Sequence, residues 1–154
     1  MPATGGSLTE IAIQTAPDVW HCCERSSPVA RSVIEELKLL AESSDRKRCR
    51  LCLHVSPDDI DQQMLIAMHR EAQDRPHYHP SKVEVIQPIE GHAKLVRLDA
   101  DGKVLDSFSI SAGDVFCCTN EPNSIHFLEV LSDYFVFLEI SRGPFTKEST
   151  VYVS

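Results

Sequence analysis

At 154 residues and a formal net charge of -8, with 15 Lys and Arg against 23 Asp and Glu, the chain is long enough to bury a core without staples and too acidic to favour a nucleic-acid partner. No apolar run approaches the roughly 18 residues of a membrane-crossing helix, and the first residues lack the basic flank and apolar stretch of an export signal. These features predict a cytoplasmic protein without a membrane partner, whose six cysteines are reduced thiols.

The first 27 residues hold Gly5, Gly6, Pro17, Ser26 and Ser27 around one apolar patch from Leu8 to Ile13, and read as an arm. Val29, Val33, Ile34, Leu37 and Leu40 then recur at helical spacing, predicting one amphipathic α-helix over 28–41 with Ser27 as N-cap and Pro28 at its first position. Glu42-Ser43-Ser44-Asp45 reads as a linker, so 1–45 forms an arm and helix and 46–154 a separate domain. The basic run Arg46-Lys47-Arg48-Cys49-Arg50 is too short for a polyanion site and reads as a solvated strand or linker edge.

Beyond it, short apolar segments alternate with turn residues. Strands are predicted at 50–55, 63–69, 83–89, 91–98, 104–110, 115–118, 125–131 and 134–140. Asp99-Ala100-Asp101-Gly102 makes a hairpin turn, and the even spacing indicates an all-β sandwich or barrel rather than a parallel sheet.

The chemistry concentrates in Pro76 to Gly91. In extended chain His77 and His79 point to the same face, and Glu84 lies far enough on for a bend at Pro80-Ser81 to bring its carboxylate alongside them. A second group follows about forty residues later, Gly113 and then Pro122-Asn123-Ser124-Ile125-His126. Asn123 is suited to a left-handed turn.

The spacing of His77, His79, Glu84, Gly91, Gly113, Pro122 and His126 resembles the two motifs of the cupin superfamily. Residues 46–147 resemble its WbuC family of metalloproteins more closely, through Arg48 to His54, Ser56-Pro57-Asp58-Asp59, Arg75 to Pro80 and Leu138 to Phe145. The resemblance implies a cupin (double-stranded β-helix, jelly-roll) barrel preceded by the arm and helix, with His126 as a fourth ligand. It further implies a homodimer exchanging arm or edge strand, and a link to O-antigen or polysaccharide gene clusters.

Three imidazoles and a carboxylate suit one divalent transition metal: Fe, Mn, Ni or Zn. Tetrahedral zinc would close such a site, whereas an octahedral ion keeps two positions for a small-molecule substrate. The expected function is a metal-dependent enzyme, dioxygenase-like or isomerase-like, on a small polar and carbohydrate-related substrate. The alternative is a non-catalytic metal-dependent binding or sensor cupin, and the metal-free sugar-epimerase type is disfavoured because it has no use for a full ligand set.

Other chemistry-bearing residues are weaker candidates. His54 reads as a pocket acid or base, or equally as a structural histidine. Glu139 shares a face with Phe135 and Phe137, placing it at the barrel rim or as a buried partner of Arg48 or Arg75. Cys49 and Cys52 are sent to opposite faces by three-residue spacing, and only one of Cys117 and Cys118 can face the interior. Tyr78 and Lys82 are expected to face away from the site, and His21, His69 and His92 to lie at the surface.

Overall fold

The computed structural model describes residues 6–25 and 28–154, so the expected cap Ser27 lies outside the described residues. The chain forms α1 (Leu8–Ile11), β1 (Ala12–Ala16), β2 (Val19–Cys22) and α2 (Arg31–Ser43). It continues with β3 (Arg48–Cys52), β4 (Asp61–His69), β5 (His77–Tyr78), β6 (Glu84–Leu98), β7 (Val104–Ser111), β8 (Cys118–Asn120), β9 (Ile125–Arg142) and β10 (Val151–Tyr152).

Helix α2 buries Val33, Ile34, Leu37 and Ala41, as the apolar spacing requires. It starts three residues later than expected, at an extended Ala30 that offers no side-chain cap, so packing against the sheet rather than capping sets the boundary. Glu90 on β6 clamps the exposed side of α2: its carboxylate lies 2.6 Å from Lys38 Nζ and 2.7 Å from Arg31 Nη1. The Lys38 hydrogen bond holds the Glu90 carboxyl below its usual range. That contribution is complete above pH 4.5 and is lost as pH falls through the lowered pKa. Glu90→Gln is expected to cost about 0.5–1 kcal/mol at neutral pH, discounted for solvent screening, and to flatten stability below pH 4.5 in urea titrations.

Residues 8–22 form an ordered arm that joins the sheet. Strand β1 pairs antiparallel with β2, and β2 pairs in parallel with β3, setting Val19 beside Arg50, Trp20 beside Leu51 and His21 beside Cys52. The parallel partner is distant in sequence, which is why local composition read only as an arm.

The four strands expected at 83–98 and 125–140 are two long ones. β6 and β9 pair along nearly their whole length, with register shifts at Pro88/Glu90 and Gly91/Ala93 where local pattern suggested chain breaks. The halves of β9 thereby serve both walls of the barrel: 134–142 pairs with β4, while His126 pairs with His77 of β5. Gly102 closes the expected hairpin at φ 80°.

Side-chain alternation divides the interior in two. Cys49, Leu51, Leu65, Ala67 and Val136 pack under α2, and Cys52, Met64, Ile66, Phe135 and Phe137 fill the barrel. The thiols of Cys49 and Cys52 thus face opposite ways as expected, and Cys118 is buried while Cys117 is exposed. Arg48 and Arg50 share the barrel-facing side of β3 instead of a solvated edge, because Cys49 and Leu51 take the helix-facing side. No helix among the described residues is long and apolar enough to cross a membrane.

Candidate metal centre

One ligand atom each from His77, His79, Glu84 and His126 lies within 4.8 Å of the others. The pairing of β5 with β9 sets His77 against His126, their ring centroids 4.6 Å apart, and His79 follows on the same face. Glu84 opens β6 and is 4% exposed, with Oε1 3.3 Å from His79 Nε2 and Oε2 3.0 Å from His126 Nε2. The loop carrying His126 is tied to the first motif by Asn123, whose N–H donates to the His79 carbonyl at 2.9 Å. Asn123 adopts φ 65°, the left-handed turn its side chain tolerates.

Each imidazole is oriented through Nδ1 toward a backbone carbonyl: His77 to Arg75 at 2.7 Å, His79 to Ser149 at 2.8 Å and His126 to Ser124 at 2.8 Å. Donation from Nδ1 leaves the Nε2 lone pairs for the centre, the arrangement that supports metal-bound histidines. His79 Nε2 and His126 Nε2 are buried without a hydrogen-bond partner. Each such orphan costs roughly 1–3 kcal/mol unless something else engages it, and a divalent ion fits this donor set.

Burial makes charge expensive at Glu84, yet His126 and His79 overcome it and hold the carboxyl well below its usual range. Burial also disfavours charge on His79, but the Glu84 carboxylate prevails and raises its pKa; for His77 burial wins and lowers it. Asn120, the register partner of Glu84 on β8, donates Nδ2–H to Glu84 Oε2 at 2.9 Å. No sequence signal pointed to Asn120, since that pairing is decided 36 residues away.

The centre opens into a cavity of about 80 Å³ whose walls include Arg48, Arg50 and Glu139. Arg48 is neutralised by Asp74 at 2.9 Å, and Asp74 also accepts the Leu128 N–H at 2.9 Å. Arg50 forms no ion pair with a carboxylate among the described residues; its Nη1 lies 3.9 Å from Met64 Sδ. Glu139 is therefore not the partner of Arg48, and Arg75 stacks over Tyr152 at 4.7 Å. Burial first and the neighbouring Glu84 second push the Glu139 carboxyl up to about 8.

Three expected placements differ. His54 does not line this cavity; it is buried beside His21, with ring centroids 5.4 Å apart, and faces a neighbouring space. His21 is buried because the parallel β2–β3 pairing covers it. Lys82 is 8% exposed, its Nζ 5.7 Å from the Phe145 ring, because the chain after Gly143 folds back over it.

The family model for a domain of unknown function, DUF6016, matches residues 29–110. No curated protein matches the sequence significantly. Among solved structures, an oxalate decarboxylase formate complex from Lactobacillus farciminis aligns with TM-score 0.52 and 19% identity, covering 62% of this chain and 27% of that one. Bacillus subtilis oxalate decarboxylase, studied for its Mn(II) centres, gives 0.52 and 24%, covering 62% and 24%. The capsular polysaccharide assembling protein CapF from Staphylococcus aureus gives 0.62 and 15%, covering 72% and 33%. These neighbours are cupin-fold proteins, and this chain has their fold while spanning about a quarter to a third of their length.

Proposed function

The chain belongs to the family defined by the domain of unknown function DUF6016, which brings no reaction with it, and we propose from the site that this is a metal-dependent enzyme acting on a small, oxygen-rich, anionic substrate. The observation that carries this reading is the pairing, around one cavity of about 80 Å³, of a four-residue ligand set with Arg50 and Glu139. That volume admits an ion and a ligand of a few heavy atoms, well short of a whole oligosaccharide.

His77, His79, Glu84 and His126 hold the ion, which supplies Lewis acidity when bound. Arg50 faces the substrate's negative oxygen as its counter-charge. Glu139, whose carboxyl burial holds above its usual range, passes a proton to or from the substrate as general acid and base. The buried walls Ile66, Ile86 and Phe137 keep bulk water from the transfer.

The oxalate decarboxylases support a small acid as substrate, and CapF, together with the WbuC-like motifs, supports a role in bacterial polysaccharide assembly, where the substrate is an oxidised sugar fragment. A cytoplasmic homodimer joined through β1, which among the described residues has β2 as its neighbour on one side only, completes the proposal.

Elemental analysis of protein purified without added metal is expected to return about one equivalent of iron, manganese or nickel per chain. Such protein should turn over small hydroxy and oxo acids, with or without oxygen uptake. Stoichiometric zinc with no turnover of any of these would instead favour the non-catalytic binding reading, and a metal-free protein would remove both.

A further inference from the structure

The geometry points to a second, sulfur-containing metal centre formed by His21, Cys52 and His54, suited to a borderline divalent ion such as zinc. One ring nitrogen from each histidine and the Cys52 sulfur lie within 4.8 Å of one another. All three residues are buried, at 8%, 3% and 2% exposure.

The fold brings them together through one strand pairing and the bend that follows it. The parallel β2–β3 ladder sets His21 directly beside Cys52, and the bend just past the end of β3 packs the His54 ring edge-on against His21, with centroids 5.4 Å apart. Met64, the antiparallel partner of Cys52 on β4, lines the same space. These residues border a cavity of about 460 Å³ that is separate from the four-ligand centre and open enough to admit an ion.

Both rings are anchored through Nδ1. The His21 Nδ1 lies 2.7 Å from Thr15 Oγ1, and the His54 Nδ1 lies 3.1 Å from the Gln63 carbonyl oxygen. The Gln63 N–H also lies 3.1 Å from this Nδ1, so an ion bound at Nε2 selects the tautomer in which Nδ1 donates to the Gln63 carbonyl, the outer support that ligating histidines use. Two imidazoles and one thiolate make a three-ligand set with a fourth position toward the cavity, a pattern zinc accepts.

Arg50 lines the same cavity. Without an ion, burial pushes the Cys52 thiol up to about 12, so binding releases that proton to solvent as the sulfur–metal bond forms. Asp59 contributes negative charge against the cationic Arg50.

Cobalt(II) titration of the full, metal-stripped chain under reducing, oxygen-free conditions separates this centre from the first, which contains no sulfur. Two equivalents are expected to bind, one of them giving a thiolate-to-cobalt charge-transfer band. Cys52→Ser and His21→Gln should each abolish the band and reduce binding to one equivalent, while His77→Ala should keep the band and lose the other equivalent. Absence of the band in the parent chain would overturn the inference without reference to any variant's folding. A band that persists in Cys52→Ser would do the same, because it would belong to exposed Cys23 or Cys117.

Discussion

Protein carrying Glu84→Gln is expected to lose its metal, with affinity at least roughly 100-fold below the parent, because outer supports alone are worth 10–100-fold and this change removes a ligand. Glu84 is the only carboxylate of the four-residue set, and it faces His79 and His126 at 3.3 and 3.0 Å. The amide keeps the shape but removes the charge that offsets a divalent ion. At a metal concentration 100 times the parent's Kd, binding stabilises the parent by about 2.7 kcal/mol, and a variant weakened 100-fold gains about 0.4 kcal/mol. Thermal unfolding with and without metal should therefore show a rise of roughly 5–10 °C in the parent and nearly none in the variant. The metal-free forms should differ much less, since losing the carboxylate's contacts with His79 and His126 is balanced by no longer burying a charge. An equal metal-induced rise in both proteins would remove Glu84 from the ligand set.

The second large effect is structural. Gly91→Ala is expected to cost about 3 kcal/mol, or roughly 6–12 °C in Tm, because two penalties fall on one atom. Gly91 sits at φ 84°, where an L side chain is strained, and an added Cβ would collide with the Tyr134 carbonyl on the paired strand β9. Ser132 holds this crossing, its Oγ accepting the His92 N–H at 2.8 Å and donating to the Tyr134 carbonyl at 2.6 Å, so the backbone has little room to retreat. Denaturant unfolding would measure the loss. A cost under about 1 kcal/mol would mean that the bulge between Gly91 and Ala93 shifts freely to accept a methyl group.

Gly91 also illustrates what a linear reading can reach. Its place seven residues after Glu84 marked it as a motif glycine, but the reason for it, the Tyr134 carbonyl, lies on a strand more than forty residues on. Asn123 was legible outright, since a left-handed turn is a local property of one residue. Helix α2 was legible for the same reason: Val33, Ile34 and Leu37 lie within two turns of one another. Its start was not, because packing against β3 and β4 rather than a cap fixes it.

The long strands were read in halves because Pro88 and Gly91 are local strand breakers, and only pairing with β9 carries β6 through them. Residues 8–22 read only as an arm, without their strands, because the partner that orders them, β3, comes after the helix. Arg50 was assigned to solvent because composition weighs a charge by its type. Its alternation with Cys49 and Leu51 turns it inward.

The sequence by itself determined a strand-rich, all-β architecture with a single long helix, because period-2 alternation and helical spacing are local codes; the barrel, and His126 as a candidate beside His77, His79 and Glu84, came from the resemblance in motif spacing. The tertiary structure alone decided that Arg50 and Glu139 share the small cavity beside those residues, that Asn120 steadies Glu84, and that His21 meets Cys52 and His54. Those contacts depend on strand register across gaps of some thirty to ninety residues, which no local pattern encodes.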